Sequence, residues 1–156
     1  MSKIVPCLWF DSQGEEAVEF YKTVFKDVKV LGVSKYVSET PSNKPEGSIM
    51  TIDFEINGNK FMALNGGPYF KFNEAVSFVI YCKDQKEIDY YYDRLSAVPE
   101  SEMCGWLKDK FGISWQLVTE GFEKLTTGKN AKKVMDELLK MKRLDINKLK
   151  AIHERK

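Results

Sequence analysis

Gln116 is the residue in this chain best placed to do chemistry on a bound molecule. It lies in the run Ile113-Ser114-Trp115-Gln116-Leu117, whose side chains alternate, so Ile113, Trp115 and Leu117 share one face of a strand and Ser114 and Gln116 the other. An amide on the wetter face can both donate and accept hydrogen bonds to a ligand, although the same residue can equally be a satisfied polar member of a core. Ser114 and Ser77 stand as its supports. A serine without a basic neighbour is a poor nucleophile, so neither reads as one. Cys104 is the second catalytic candidate, because it comes just before Gly105-Trp106, a position that can give its thiol access to the mouth of a cavity. A helix N-terminus or a nearby lysine would make that thiol reactive, whereas an apolar setting makes a cysteine plain filler. Asn65-Gly66-Gly67 offers either a nest of backbone amides for an anion or an ordinary turn. Leu8, Phe10, Phe61, Phe78 and Trp106 supply the apolar surface that lines a pocket. Asp11, Asp53 and Glu55 form no paired-carboxylate spacing.

The elements that must position these residues are legible from periodicity. Residues 4–10 read as a strand with Pro6 at its edge or start. Ser12 and Glu15 have capping-box spacing, and Ala17, Phe20, Tyr21, Val24 and Phe25 give the helix that follows one core face. Residues 28–37 read as a strand and 38–47, with two prolines, as a mobile loop. Strands over 48–56 and 60–64 flank the hairpin signal Asn57-Gly58. The pattern then restarts. A strand over 75–82 precedes a second capped helix, with Asp84 and Glu87 at its start and Ile88, Tyr91, Tyr92 and Leu95 on its stripe. Residues 103–107 and 113–118 make a hairpin through a tight turn at 109–112, where Gly112 can supply a positive φ. The two copies begin about seventy residues apart, a weak internal repeat. The second is shorter, so one of its strands is stunted or missing. Beyond Gly121, Asn130 can cap a helix carrying Val134, Leu138 and Met141, and Asp145 one carrying Leu149 and Ile152.

Composition narrows the function classes. The chain has 156 residues, 43% hydrophobic and 30% charged, and a net charge of +1. Such a molecule has no overall field to draw nucleic acid or an anionic membrane. Residues 129–156 hold ten Lys/Arg against four Asp/Glu, but no aromatic lies among them, which argues against base stacking. No run approaches the roughly 20 apolar residues that span a bilayer. No signal peptide is evident after Met1-Ser2-Lys3, and three widely spaced cysteines (Cys7, Cys82, Cys104) fit reduced thiols, so a cytoplasmic location is expected. With no CxxC pair and a single histidine, His153, near the end, no zinc site of ordinary N/S composition is expected and no Ser-His or Cys-His pair has an evident geometry.

Several motifs resemble one family in order along the chain. Pro6-Cys7-Leu8-Trp9-Phe10-Asp11 with Glu15-Glu16-Ala17 and Phe20-Tyr21, then Asn57-Gly58 before Phe61-Met62-Ala63, then Ala75-Val76-Ser77-Phe78, and the run from Trp106 to Leu117 resemble the PhnB-like branch of the vicinal oxygen chelate superfamily. The tail Met141-Lys142-Arg143-Leu144-Asp145-Ile146 is similar to a C-terminal extension of many members. The resemblance implies an α+β fold of two βαβββ modules around a shared cavity, over about 1–68 and 69–120, with a helical extension over 121–156, and usually a homodimer. Members are often labelled glyoxalase/bleomycin-resistance-like or 3-demethylubiquinone 3-methyltransferase-like; no glycine-rich methyl-donor loop follows any strand of this chain. The superfamily's metal-dependent glyoxalases carry His or Glu at four cavity-facing positions, which Pro6, Ala63, Ser77 and Gln116 occupy here. None is a good ligand for a divalent metal. On Pro6's parity, Leu8 and Phe10 are expected to face the cavity, and Trp9 and Trp115 to pack under the helices.

Three functions follow as expectations. The first is binding of a small molecule without metal or other cofactor, through Leu8, Phe10, Asn65, Ser77, Trp106, Ser114 and Gln116. The second is a lyase- or isomerase-type enzyme using Gln116 or Cys104. The third is a module that docks a partner through its basic C-terminal helices.

Overall fold

The structure, a computed structural model, describes residues 4–38 and 43–155, so part of the loop expected over 38–47 lies outside the described residues. The chain divides into two compact units, Met1–Phe72 and Asn73–Lys156. No helix among the described residues is long and apolar enough to cross a membrane.

In the first unit β1 (Cys7–Phe10) leads into α1 (Gly14–Val24), followed by β2 (Val28–Lys35), β3 (Ile49–Ile56) and β4 (Asn59–Asn65). The sheet order is β1-β4-β3-β2, with β1 parallel to β4 and the remaining pairs antiparallel, a complete βαβββ module. Asn57 and Gly58 take φ of 47° and 81°, the left-handed pair that a two-residue hairpin turn needs. Alternation puts Ile52, Phe54 and Ile56 on one face, all buried. Tyr21 of α1 stacks on Phe54 with ring centroids 6.5 Å apart, so this is the face the helix covers.

Helix α1 is not capped by Ser12. Its N-cap is Gln13, whose side chain makes no capping bond. The Gly14 N–H donates instead to Asn65 Oδ1 of β4 at 2.8 Å. An acceptor from a neighbouring strand does the same work as a local hydroxyl.

The second unit contains β5 (Ser77–Cys82), α2 (Gln85–Leu95), β6 (Trp106–Lys108), β7 (Ser114–Thr119), α3 (Phe122–Leu125), α4 (Ala131–Leu138) and α5 (Ile146–His153). Its sheet has three strands in the order β5-β7-β6. The strand that would answer to β2 is absent among the described residues. In its place the chain forms a 3-10 turn at Pro99–Ser101 and a single bridge from Met103 to Trp106. The capping box at α2 is present: Asp84 accepts from the Glu87 N–H at 2.9 Å, and the Glu87 carboxylate accepts from the Lys83 N–H at 2.9 Å. Leu107, Trp115, Leu117 and Cys82 are buried on the face that α2 covers.

The helices after β7 pack within this unit. Val134, Leu138, Leu144, Ile146 and Leu149 are buried. Asp145 caps α5 by accepting from the Lys148 N–H at 2.9 Å, as its position suggests. Asn130 precedes α4 without capping it, because its amide is turned to the end of α5, donating to the carbonyls of His153 (3.0 Å) and Arg155 (2.7 Å). The Cys104 and Gly105 N–H groups donate to the carbonyls of Met141 and Lys142 at 2.8 and 2.9 Å. Gln85 holds the same segment from α2, donating to Leu144 O at 2.9 Å and accepting from the Ile146 N–H at 2.8 Å.

Candidate functional site in the second sheet

Strand registers decide which side chains meet on the sheet. Ser77 pairs with Ser114, Val79 with Gln116 and Tyr81 with Val118 across β5 and β7. Trp106 pairs with Gln116 and Lys108 with Ser114 across β6 and β7. Paired residues point to the same side of a sheet. Ser77, Ser114, Gln116, Trp106 and Lys108 therefore share the face turned away from α2, the opposite side from Leu107, Trp115 and Leu117. Trp106, whose strand parity is ambiguous in the sequence, is thereby assigned to the face of Gln116.

The turn that feeds β7 is held by hydrogen bonds that converge on one carboxylate. Asp109 is fully buried and accepts from the N–H groups of Phe111 (2.9 Å) and Ile113 (3.0 Å) and from Trp115 Nε1 (2.9 Å). Gly112 closes the turn at φ +87°. These bonds set the start of β7 and with it the position of Ser114 and Gln116.

The hydrogen bonding of the face is incomplete. Gln116 Nε2 donates to Ser77 Oγ at 2.8 Å. Ser114 is 1% exposed, and its Oγ is buried without a hydrogen-bond partner among the described residues. A buried unpaired hydroxyl costs about 1–3 kcal/mol, so Ser114 is the energetically unusual member of this face. Lys108 is ion-paired with Glu74, and its hydrogen bond holds the Glu74 carboxyl below the usual carboxylate range.

Other candidates fall elsewhere. Leu8 pairs with Ala63 and Phe10 with Asn65, and both pairs lie on the face α1 covers, since a Cβ on Gly14 would stand 3.5 Å from Ala63 Cβ. The expected parity is thus inverted: Leu8 and Phe10 are buried beneath α1, and Trp9 takes the opposite face. Trp115 does pack on the helix side of its own sheet. The reason is that alternation gives only relative parity; where α1 lands decides the absolute face. Asn65 is committed to the fold. Besides accepting from Gly14, its amide donates to Glu15 Oε2 at 2.6 Å and to Ile49 O at 3.1 Å. Gly66 and Gly67 are an ordinary chain continuation and not an anion nest, because their N–H groups donate to the carbonyls of Phe10 and Asp11. Gly66 must be glycine, since a Cβ there would sit 2.4 Å from the Trp9 indole.

Cys104 is half-buried in the turn before β6 with φ +54°, a left-handed conformation unfavourable for a residue with a Cβ. Burial, followed by the nearby Glu87, Asp84 and Glu120, pushes the Cys82 thiol up to about 12. Lys108 and Asp109 were not singled out by the sequence. A lysine at a strand end reads as solvated, and the aspartate reads as a turn residue; the three N–H donors that converge on it belong to tertiary structure.

The donor set does not suit a divalent metal. Ser77 and Gln116 are neutral and bonded to one another, Ala63 faces α1, and Pro6 has no side-chain donor. No group of three or more His, Cys, Asp or Glu side chains among the described residues is arranged to hold an ion.

Comparison with known proteins agrees with this architecture. The family model of 3-demethylubiquinone-9 3-methyltransferase matches residues 2–118. Among solved structures, a PhnB protein from Bacillus cereus is 31% identical, with a TM-score of 0.61, and the match covers 76% of this chain and 99% of that one. The protein PA1353 from Pseudomonas aeruginosa, 19% identical with a TM-score of 0.54, covers 77% of this chain and 98% of its own and shares the fold. So does an Arabidopsis thaliana gene product, 19% identical with a TM-score of 0.51, over 76% of this chain and 98% of its own. No curated protein matches the chain. The chain belongs to the 3-demethylubiquinone-9 3-methyltransferase family, in the PhnB and glyoxalase-like branch of the vicinal oxygen chelate superfamily.

Proposed function

We propose that this protein binds a small organic molecule on the face of its second sheet that carries Ser77, Ser114, Gln116 and Trp106, without a metal ion. The observation that carries this reading is the buried, unpartnered Ser114 hydroxyl beside the Gln116–Ser77 hydrogen bond. Fixed polar groups next to apolar surface are what small-molecule sites are made of. Here the apolar surface is Trp106, Val79, Tyr81 and Val118 on the same face. The neutral character of the donors favours orientation of a ligand over metal-assisted chemistry.

A fragment screen on isotope-labelled protein tests the reading. Fragments that shift the Trp106 indole signal in the presence of chelator support it. A diverse library that leaves Trp106 and Gln116 unmoved removes it.

A homodimer accompanies this reading. Strand β2 is the last strand of its sheet among the described residues and exposes Val30, Leu31 and Val33, apolar side chains of the kind proteins cover at a sheet edge. Light scattering that reports a monomer at micromolar concentration would remove it.

A further inference from the structure

We propose that the ligand is an amphipathic anion, a planar aromatic body bearing a carboxylate-type head, with the head on Ser77, Ser114 and Lys108 and the body over Trp106. This rests on the binding reading above and adds the chemical class.

The registers lay the face out in three transverse rows. Ser77, Ser114 and Lys108 make the first row, Val79, Gln116 and Trp106 the second, and Tyr81 and Val118 the third. Neighbours within a row stand about 4.8 Å apart, and successive rows are about 7 Å apart along the strands. The first row consists of donors. Ser77 Oγ already accepts from Gln116, which leaves its own O–H to donate. Ser114 has a hydroxyl with no partner, and Lys108 brings an ammonium group. Gln116 keeps a second amide N–H. Donors converging beside a cation are matched by an oxygen-rich anion, for which charge-assisted bonds are about twice as strong as neutral ones.

The other two rows are mostly apolar. Val79 is 43% exposed and Tyr81 65%, and Trp106 is half-buried. Trp106 stands one row from Lys108, about 7 Å along β6, and its indole face suits stacking of one or two fused rings.

Glu74 shows that a carboxylate fits on Lys108. The two are ion-paired, with the Glu74 side chain 60% exposed and that of Lys108 only 21%. The exposed partner is the one a ligand can displace. Glu74 is thus a competitor built into the chain, and a ligand carboxylate takes its place on the ammonium group.

The test uses 2-naphthoate and its neutral isostere 2-naphthamide on the full chain, read at the Trp106 indole N–H after assignment with Trp106→Phe. The acid is expected to bind at least tenfold more tightly than the amide. Lys108→Ala should erase that preference. Glu74→Gln should tighten acid binding severalfold and leave amide binding unchanged, and it guards against a misfolded Lys108 variant. If the amide binds as well as the acid, or the preference survives Lys108→Ala, the anion class is overturned while binding at this face stands. If neither probe moves Trp106, the class is likewise overturned. The fragment screen then judges the binding reading separately: neutral hits at this face keep it, and a silent face removes both.

Discussion

The Gln116 side-chain amide crosses from β7 to the Ser77 hydroxyl on β5 at 2.8 Å, and the Ser114 hydroxyl next to that bond is left with no partner. One polar group is satisfied and its buried neighbour is not. That asymmetry separates this face from a merely well-packed polar core, and it leads to a signature that a structural role would not give.

Ser114→Ala should stabilise the ligand-free protein while weakening binding. Removing an unsatisfied buried hydroxyl recovers about 1 kcal/mol or more, which raises the melting temperature by several degrees in a domain of this size. The same change should cost a ligand about tenfold in affinity. Calorimetric melting with and without a bound fragment checks both signs, and a destabilised variant would show that the hydroxyl is satisfied in the folded chain.

Asp109→Ala removes the acceptor of three N–H groups. Its cost should be about 3 kcal/mol or more, most of it from donors left buried and unpaired. Denaturant unfolding followed by Trp115 fluorescence measures it. A loss under 1 kcal/mol would mean the turn holds β7 by other means.

The tail helices are part of the second unit's fold, so truncation before Asn130 should destabilise that unit. The truncated chain loses the Met141 and Lys142 carbonyls that pair with Cys104 and Gly105, and the Leu144 side chain that packs over Gly105. Hydrogen exchange in β6 and β7 should accelerate by orders of magnitude. Unchanged exchange would mark the tail as dispensable, as a pure docking segment would be.

Thiol chemistry should separate the cysteines. Cys82 is fully buried with its thiol pushed up to about 12 from an ordinary 9.0, so it is protonated at neutral pH and closed to alkylation. Native protein should take up iodoacetamide at Cys7 and Cys104 and at Cys82 only on unfolding. The sign of the pH effect follows from the raised value. The folded state holds a proton that the unfolded state begins to release near pH 9. This contribution to stability is therefore complete below pH 9 and is lost as pH rises toward 12. An alkaline transition that does not weaken across that window would contradict it.

Much of the architecture was legible because it rests on local chemistry. Asn57-Gly58 dictates its hairpin, Asp84 and Glu87 form their capping box, and the short interval after Leu95 leaves no room for a fourth strand. What the sequence withheld depends on pairs far apart in the chain. Asn65 caps α1 from 51 positions away, and Asn130 reaches the far end of α5. Alternation told that Leu8 and Phe10 share a face, but only the landing of α1 told which. On the second sheet the polar residues Ser77, Ser114 and Gln116 were visible, and Lys108 joined them only when the register of β6 was known.

Metal-free binding at this face is tested most directly by the fragment screen, run with chelator and read at both the Trp106 indole and the Gln116 side-chain amide. Fragments should move both signals together, with the Trp106 response lost in Gln116→Ala and unaffected by added divalent metal. Fragments that bind only elsewhere, or binding at this face that requires a metal ion, would contradict it.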